Sequence, residues 1–259
     1  MTDDLKQFYA DFAPLYHLIY PDWEESIARQ ASMLDSVIRE TWGDGVSSVL
    51  DVSCGIGTQS LGLAKLGYQV TASDLSPDEV ERAKREAEER GFVISFSAAD
   101  MRGAFRHHAR TFDVVLSCDN AVPHLLRDED ILTAFQQMYR CVRPGGGCII
   151  SVRDYENEDL SKRQVKPYGL REENGTRWVL FQVWEPRGQL YDFTLYFVAD
   201  RGGSECQTRA LRSTYYAVGI PKLMDFMNQA GFEDVKRLDG RFFQPIVIGT
   251  RAAQSGRGE

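Results

Sequence analysis

The stretch Val46-Ser47-Ser48-Val49-Leu50-Asp51-Val52-Ser53-Cys54-Gly55-Ile56-Gly57-Thr58 reads as a buried strand running into a glycine-rich turn, with a helix beginning near Thr58. Aliphatic and β-branched residues make the strand, and Asp51 stands at its carboxyl end. Gly55 and Gly57 allow a sharp turn and a close approach of backbone to ligand, because no Cβ intervenes. A loop of this kind at the carboxyl edge of a parallel sheet is where doubly wound folds bind nucleotides. Gly-x-Gly alone also suits a plain strand-to-helix turn, so the residues downstream of it have to decide.

Those downstream residues are acidic. A dinucleotide fingerprint would continue to a third glycine, whereas position 60 is serine. Asp74 closes a strand over 68–73 and Asp100 closes one over 92–99, so three successive strands run into aspartate. Residues 112–117 and 148–152 are further buried strands. Helices are expected from the turn to about Leu66, over 77–90 with Ser76 as N-cap, and over 128–142, where Arg143-Pro144-Gly145-Gly146-Gly147 gives a stop. The charged residues of 77–90, Glu79 among them, read as a solvated face. This alternation predicts a doubly wound α/β sheet with right-handed crossovers.

After residue 160 the period changes. Residues 177–185, 189–200 and 206–218 alternate in strand fashion around Pro186-Arg187-Gly188 and Asp200-Arg201-Gly202-Gly203, which predicts a three-stranded antiparallel insertion acting as a lid. The core resumes with a helix over 221–230, a strand over 234–238 and a last strand over 244–250 that returns antiparallel. The expected organisation is therefore an aromatic and helical N-terminal lid (1–42), a core (43–159 and 219–250), an insertion (160–218) and a disordered tail (251–259). In the N-terminal segment Pro14 and Pro21 separate short pieces before an amphipathic helix over 24–42.

Composition narrows the function. A net charge of −8 leaves no basic stripe for a phosphate backbone, so no nucleic-acid partner is expected. No run approaches a membrane span, and the five scattered cysteines, without a Cys-x-x-Cys pair, read as reduced thiols. A cytoplasmic protein without a membrane partner is expected. No cluster has metal-ligand spacing, and His107-His108 are adjacent in a loop.

The order of motifs from Val46 to Thr250 resembles the class I S-adenosylmethionine-dependent methyltransferases, with their Rossmann-like seven-stranded sheet. Ser117-Cys118-Asp119-Asn120-Ala121-Val122-Pro123-His124-Leu125 and Ser151-Val152-Arg153-Asp154-Tyr155, with Arg29 upstream, resemble the glycine/sarcosine N-methyltransferase family. The resemblance implies S-adenosylmethionine as cofactor, S-adenosylhomocysteine as product, and a small amine bearing a carboxylate as partner, methylated towards dimethylglycine or betaine. It leaves open another small metabolite as substrate, a regulator that binds the cofactor without chemistry, and the choice between monomer and homo-oligomer.

It also implies roles. Ser53, Gly55 and Gly57 would meet the methionine end of the cofactor, and Asp51 would face its cation or merely order the turn. Asp74 would take the ribose hydroxyls. Asp100 and the Met101 amide would read adenine, with Leu75 and Met101 on its faces and Cys118 nearby. Arg29, beside Trp23, would clamp the cofactor carboxylate. Arg153 would hold the substrate carboxylate or else pair with a nearby acid. Asn120 would hold the amine, and Tyr16, Tyr20, Tyr191 and Tyr216 would enclose it. His124 is either a general base or a local hydrogen-bonding group.

Overall fold

The computed structural model describes residues 3–253. The tail expected over 251–259 thus lies outside the described residues from 254 onwards. Five strands run parallel: β1 (Ser48–Asp51), β2 (Gln69–Asp74), β3 (Ser95–Ala98), β4 (Phe112–Ser117) and β5 (Val142–Ser151). Two more, β10 (Glu233–Leu238) and β11 (Ile246–Thr250), complete a seven-stranded sheet in the order β10-β11-β5-β4-β1-β2-β3. β11 lies antiparallel to both its neighbours, as its short connection requires.

The period of two within each strand sends neighbouring residues to opposite faces. Val49, Val114 and Ile149 face Leu34, Val37 and Ile38 of helix α2 (Trp23–Trp42). Leu50, Val115 and Ile150 face the other way, towards Phe135 and Met138 of α6 (Asp128–Cys141), which follows the short α5 (Ala104–His108), and towards Met227 of α7 (Ile220–Ala230). Each such side chain, fully buried, contributes about 1.5–3 kcal/mol. Near-continuous apolar strands are what a sheet covered on both faces needs.

The short helix α3 (Thr58–Lys65) starts directly at the glycine turn, where Gly57 adopts φ 96° as its N-cap. Helix α4 (Pro77–Glu89) starts on Ser76, whose side chain accepts from the Glu79 amide. The solvated face expected for that helix needs one correction: Glu79 is buried, at 1% exposure, and does not join it. The glycine run after α6 does not act as a plain stop, because β5 begins at Val142 and passes through it. Gly147 must be glycine there, since a Cβ would stand 1.9 Å from Trp42 Cζ2.

The insertion has four strands, not three: β6 (Gln164–Glu173), β7 (Thr176–Arg187), β8 (Leu190–Asp200) and β9 (Gln207–Tyr216), antiparallel in that order. β6 escapes a reading by pattern because Pro167 and Gly169 (φ 97°) interrupt it with a bulge. Proline and a bulge are tolerated there because β6 is an edge strand.

The N-terminal segment, α1 (Asp3–Phe12) and a turn of 3₁₀-helix (Tyr16–Ile19), lies between core and insertion. Phe8 meets Phe193 of β8 edge to face at 5.7 Å. Arg82 of α4 donates to the Ala13 carbonyl and contacts His17, while His17 contacts Glu173 of β6 at 2.9 Å. Arg171 of β6 donates to the Tyr20 and Ile19 carbonyls.

Candidate active site

The carboxyl ends of β1, β2 and β4 open beneath this N-terminal segment. Two adjoining spaces lie there. An enclosed cavity of about 70 Å³ is bounded by Ser53, Gly55, Asp74, Glu79, Cys118, Asp119, Asn120 and Arg153 from the core. Tyr9, Phe12 and Tyr16 roof it, and Tyr168, Gln182 and Tyr215 of the insertion close its side. The second is a mainly apolar cleft of about 410 Å³ between Leu75, Met101, Leu125 and Asp100. Tyr9, Ser53, Asp74, Ala121 and His124 line both.

The glycine turn is held by carboxylates. Asp51 Oδ1 accepts from the Ser53 amide at 3.2 Å and Oδ2 from Ser60 Oγ at 2.8 Å. Burial pushes this carboxyl up to about 7 against those two bonds. Asp74 Oδ2 accepts from the Gly55 amide at 2.9 Å and Oδ1 from the Ser76 amide at 3.0 Å. Asp74 lines both spaces. The Tyr16 ring lies against Gly55, where a Cβ would come within 3.0 Å of it.

Arg153 follows β5 and borders the cavity. Its Nη2 donates to Tyr168 Oη at 2.9 Å and its guanidinium lies 4.9 Å from the Trp184 ring centre. No carboxylate of the described residues pairs with it within 4.0 Å. His124 packs between Tyr215 at 4.3 Å and Tyr9 at 5.5 Å, and its buried Nδ1 has no hydrogen-bond partner among the described residues. Burial lowers His124 to about 3, so the ring is neutral at physiological pH.

Residues 49–146 match the model of a methyltransferase domain. The core of this chain is a class I methyltransferase domain. S-adenosylmethionine is its cofactor. A curated glycine/sarcosine N-methyltransferase of Parasynechococcus marenigrum (strain WH8102) is 33% identical over 156 residues, 60% of this chain and 54% of that one. The chain spans about half the length of the three glycine/sarcosine N-methyltransferases it matches. Among solved structures, Streptomyces venezuelae DesVI superposes with a TM-score of 0.80 at 21% identity, covering 93% of this chain and 99% of that one. The sugar N-methyltransferase KedS8 from Streptoalloteichus sp ATCC 53650 superposes with a TM-score of 0.76 at 20% identity, covering 92% and 93%. These two likenesses concern the fold.

The methyltransferase domain has residues that fit the cofactor. The larger cleft offers apolar walls to a flat base, Ser53 and Gly55 of the glycine turn line the cavity, and Asp74 lines both spaces. Glu79 Oε1, buried without a partner among the described residues, adds an unused polar atom to the same wall.

Several expected roles meet obstacles. Asp100 is taken up by Arg102, which binds both its oxygens, so its carboxylate is not free for a base edge. Trp23 does not lie beside Arg29; its ring packs 5.4 Å from Arg82 and its Nε1 donates to Thr58 Oγ1. Arg29 is exposed and borders an outer cleft with Tyr20, outside the cavity. Asp51 and Gly57 shape the turn without lining either space.

On the substrate side, the Asn120 carbonyl already accepts from the Arg153 amide at 3.1 Å and lies 3.0 Å from Tyr155 Oη, which removes it as a simple amine holder. Tyr191 is fully buried against Trp184 and Tyr155. Tyr216 points to Asp128 and Lys222, away from the cavity. Its neighbour Tyr215 lines the cavity instead, a one-residue error that a period of two turns into the wrong face. Tyr20 lies behind the cavity, donating to Asp119, whereas Tyr16, Cys118 and Ser53 do border it. Sequence reasoning missed Tyr9, Glu79, Tyr168 and Gln182.

Proposed function

We propose that this chain transfers a methyl group from S-adenosylmethionine to the amine of a small carboxylic acid such as glycine or sarcosine. The observation that supports it is Arg153: a guanidinium without an acid partner among the described residues, at the edge of a small cavity that adjoins the glycine turn. Such a group stays charged at any physiological pH and matches a carboxylate with two parallel hydrogen bonds. A cavity of about 70 Å³ suits an acceptor of few heavy atoms.

In this reading Ser53 and Gly55 receive the amino-acid end of the cofactor, Asp74 the ribose, and Leu75 and Met101 the base. The cofactor supplies an electrophilic methyl group. The chain's own work is placement. Arg153 fixes the acid end of the acceptor, and neutral His124 offers Nδ1 as an acceptor to an amine N–H. Tyr9, Tyr16 and Tyr215 exclude water, so that binding converts a bimolecular encounter into an oriented one. The amine proton leaves to solvent.

A second reading is favoured by a separate observation. An open groove of about 720 Å³ reaches His124 from outside, between Asp11, Glu185, Asp192 and Arg212. An acceptor whose amine sits on a larger polar body, as the name of KedS8 indicates for that protein, would use it. Methyl transfer from labelled cofactor to glycine, sarcosine, dimethylglycine, biogenic amines and amino sugars separates the two. Label on glycine or sarcosine supports the first reading, and label confined to amines without a carboxylate removes it.

A further inference from the structure

A second charged group, Asp119, borders the cavity together with Arg153. Asp119 follows β4 with its backbone at φ 56°, its amide donating to Ser151 Oγ at 2.7 Å. Its Oδ2 accepts from Tyr20 Oη at 2.7 Å. Behind Tyr20, Thr58 Oγ1 donates to the Tyr20 oxygen at 3.4 Å and accepts from Trp23 Nε1 at 2.9 Å. The carboxylate is therefore held from one side by the N-terminal segment and α3, while Oδ1 has no partner among the described residues.

Asp119 and Arg153 border the same cavity, and also the outer cleft on its far side. They carry opposite charges, yet they form no ion pair within 4.0 Å. Arg153 is instead fixed by Tyr168 and Trp184, and Asp119 by Tyr20. Burial raises the Asp119 carboxyl, and the Tyr20 bond and the Arg153 charge oppose that. A half-buried acid and a half-buried base held apart carry a desolvation cost that a ligand with both charges would offset.

We infer that Asp119 holds the amine end of the acceptor opposite Arg153, so that the site grips a small amino acid by both ends. The inference rests on the reading of Arg153 as a carboxylate anchor. It also gives Asp119 an electrostatic role. The ammonium that Asp119 binds first gives up a proton to solvent; the lone pair of the resulting amine then forms the new N–C bond, the S–C bond breaks with its electron pair left on sulfur, and nitrogen becomes cationic again. Measured from that neutral amine, a fixed carboxylate next to the nitrogen gains strength in the transition state, where positive charge develops on nitrogen.

The test is equilibrium binding to the full chain saturated with S-adenosylhomocysteine, using glycine and its two halves, acetate and methylammonium. Asp119→Asn should weaken glycine and methylammonium at least ~10-fold while acetate and S-adenosylhomocysteine stay within about twofold. Arg153→Ala should do the reverse for acetate. Equal loss of acetate and methylammonium in Asp119→Asn, or no loss of either, overturns the inference. Should glycine and acetate fail to bind wild type while methylammonium binds and is lost in Asp119→Asn, the carboxylate anchor falls and the amine role of Asp119 stands. If Asp119→Asn does not fold, Tyr20→Phe, which removes the donor to Asp119, should weaken methylammonium alone severalfold; unchanged affinity there also overturns it.

Discussion

Glu79 lies against Asp74 beneath the glycine turn, both carboxyls buried, and Glu79 Oε1 has no hydrogen-bond partner among the described residues. Two buried carboxylates in contact cannot both ionise cheaply, so the pair favours holding a proton. Burial first, and then the Asp74 charge, push Glu79 well above the ordinary glutamate range. A folded-state value above the unfolded 4.5 means that the stability from this group is fully present below that pH and is lost as pH rises through the raised value. Glu79→Gln removes the titration. Thermal melts of the ligand-free chain should show wild type losing stability relative to Glu79→Gln as pH increases from about 5 to 9; a difference constant over that range would refute the buried pair.

Asp74 itself carries the ribose assignment. Asp74→Ala removes both the open lone pairs and the acceptor of the Gly55 amide. Calorimetric titration should show S-adenosylhomocysteine binding weakened by roughly 1.5–3 kcal/mol, the worth of hydrogen bonds to a charged group. An unchanged Kd would remove Asp74 from the cofactor site.

Arg153→Ala tests the substrate side. The loss of a charge-assisted anchor should raise KM for glycine or sarcosine about 10- to 100-fold, with cofactor affinity nearly unchanged. Arg153→Lys should rescue only in part, because a lysine cannot reproduce the fork that meets a carboxylate and Tyr168 together. Equal loss of cofactor and acceptor binding in steady-state kinetics would make Arg153 a structural residue.

His124 is a poor proton store, since burial lowers it to about 3. Its Nδ1 has no partner among the described residues, and in the tautomer protonated at Nε2 it is an acceptor. His124→Phe keeps an aromatic ring between Tyr9 and Tyr215 but deletes that acceptor, and kcat/KM should fall about 10-fold. The wild-type rate should show no His124 titration between about pH 6 and 8, because the neutral ring persists throughout. An inflection in that range that disappears in His124→Phe would show a true acid–base role. The depressed value also has a stability sign: this contribution is present above the unfolded value of 6.5 and is lost as pH falls towards 3.

The sheet was legible because Val49/Leu50, Val114/Val115 and Ile149/Ile150 each mark a strand apolar on both faces, and because glycine and aspartate punctuate the strand ends. Site residues that sit on that punctuation, Gly55 and Asp74, could be named from it. Others depend on what a strand or helix packs against. Glu79 looks like one more acid in a charged helix until α1 and the glycine turn cover it. Tyr215 and Tyr216 differ only by the strand's phase, which the sequence around Ser213-Thr214 does not specify. Tyr168 reaches Arg153 through a bulge in an edge strand that proline disguises.

Arg82 ties the N-terminal segment to the core, and it does so by way of three groups: the Ala13 carbonyl, His17 and, through His17, Glu173 of the insertion. The roof of the cavity, Tyr9 and Tyr16, lies on that segment. Arg82→Ala removes the donors from α4 while leaving the apolar contacts of Phe8 and Phe12 with β8 in place. The segment should then open more often without the core unfolding. Limited proteolysis should show faster cleavage within residues 3–22, with the melting temperature lowered by only a few degrees. Cofactor should slow that cleavage in wild type and in the variant alike if the segment closes over it. Protection absent in both would mean that Tyr9 and Tyr16 pack on the core without covering a ligand.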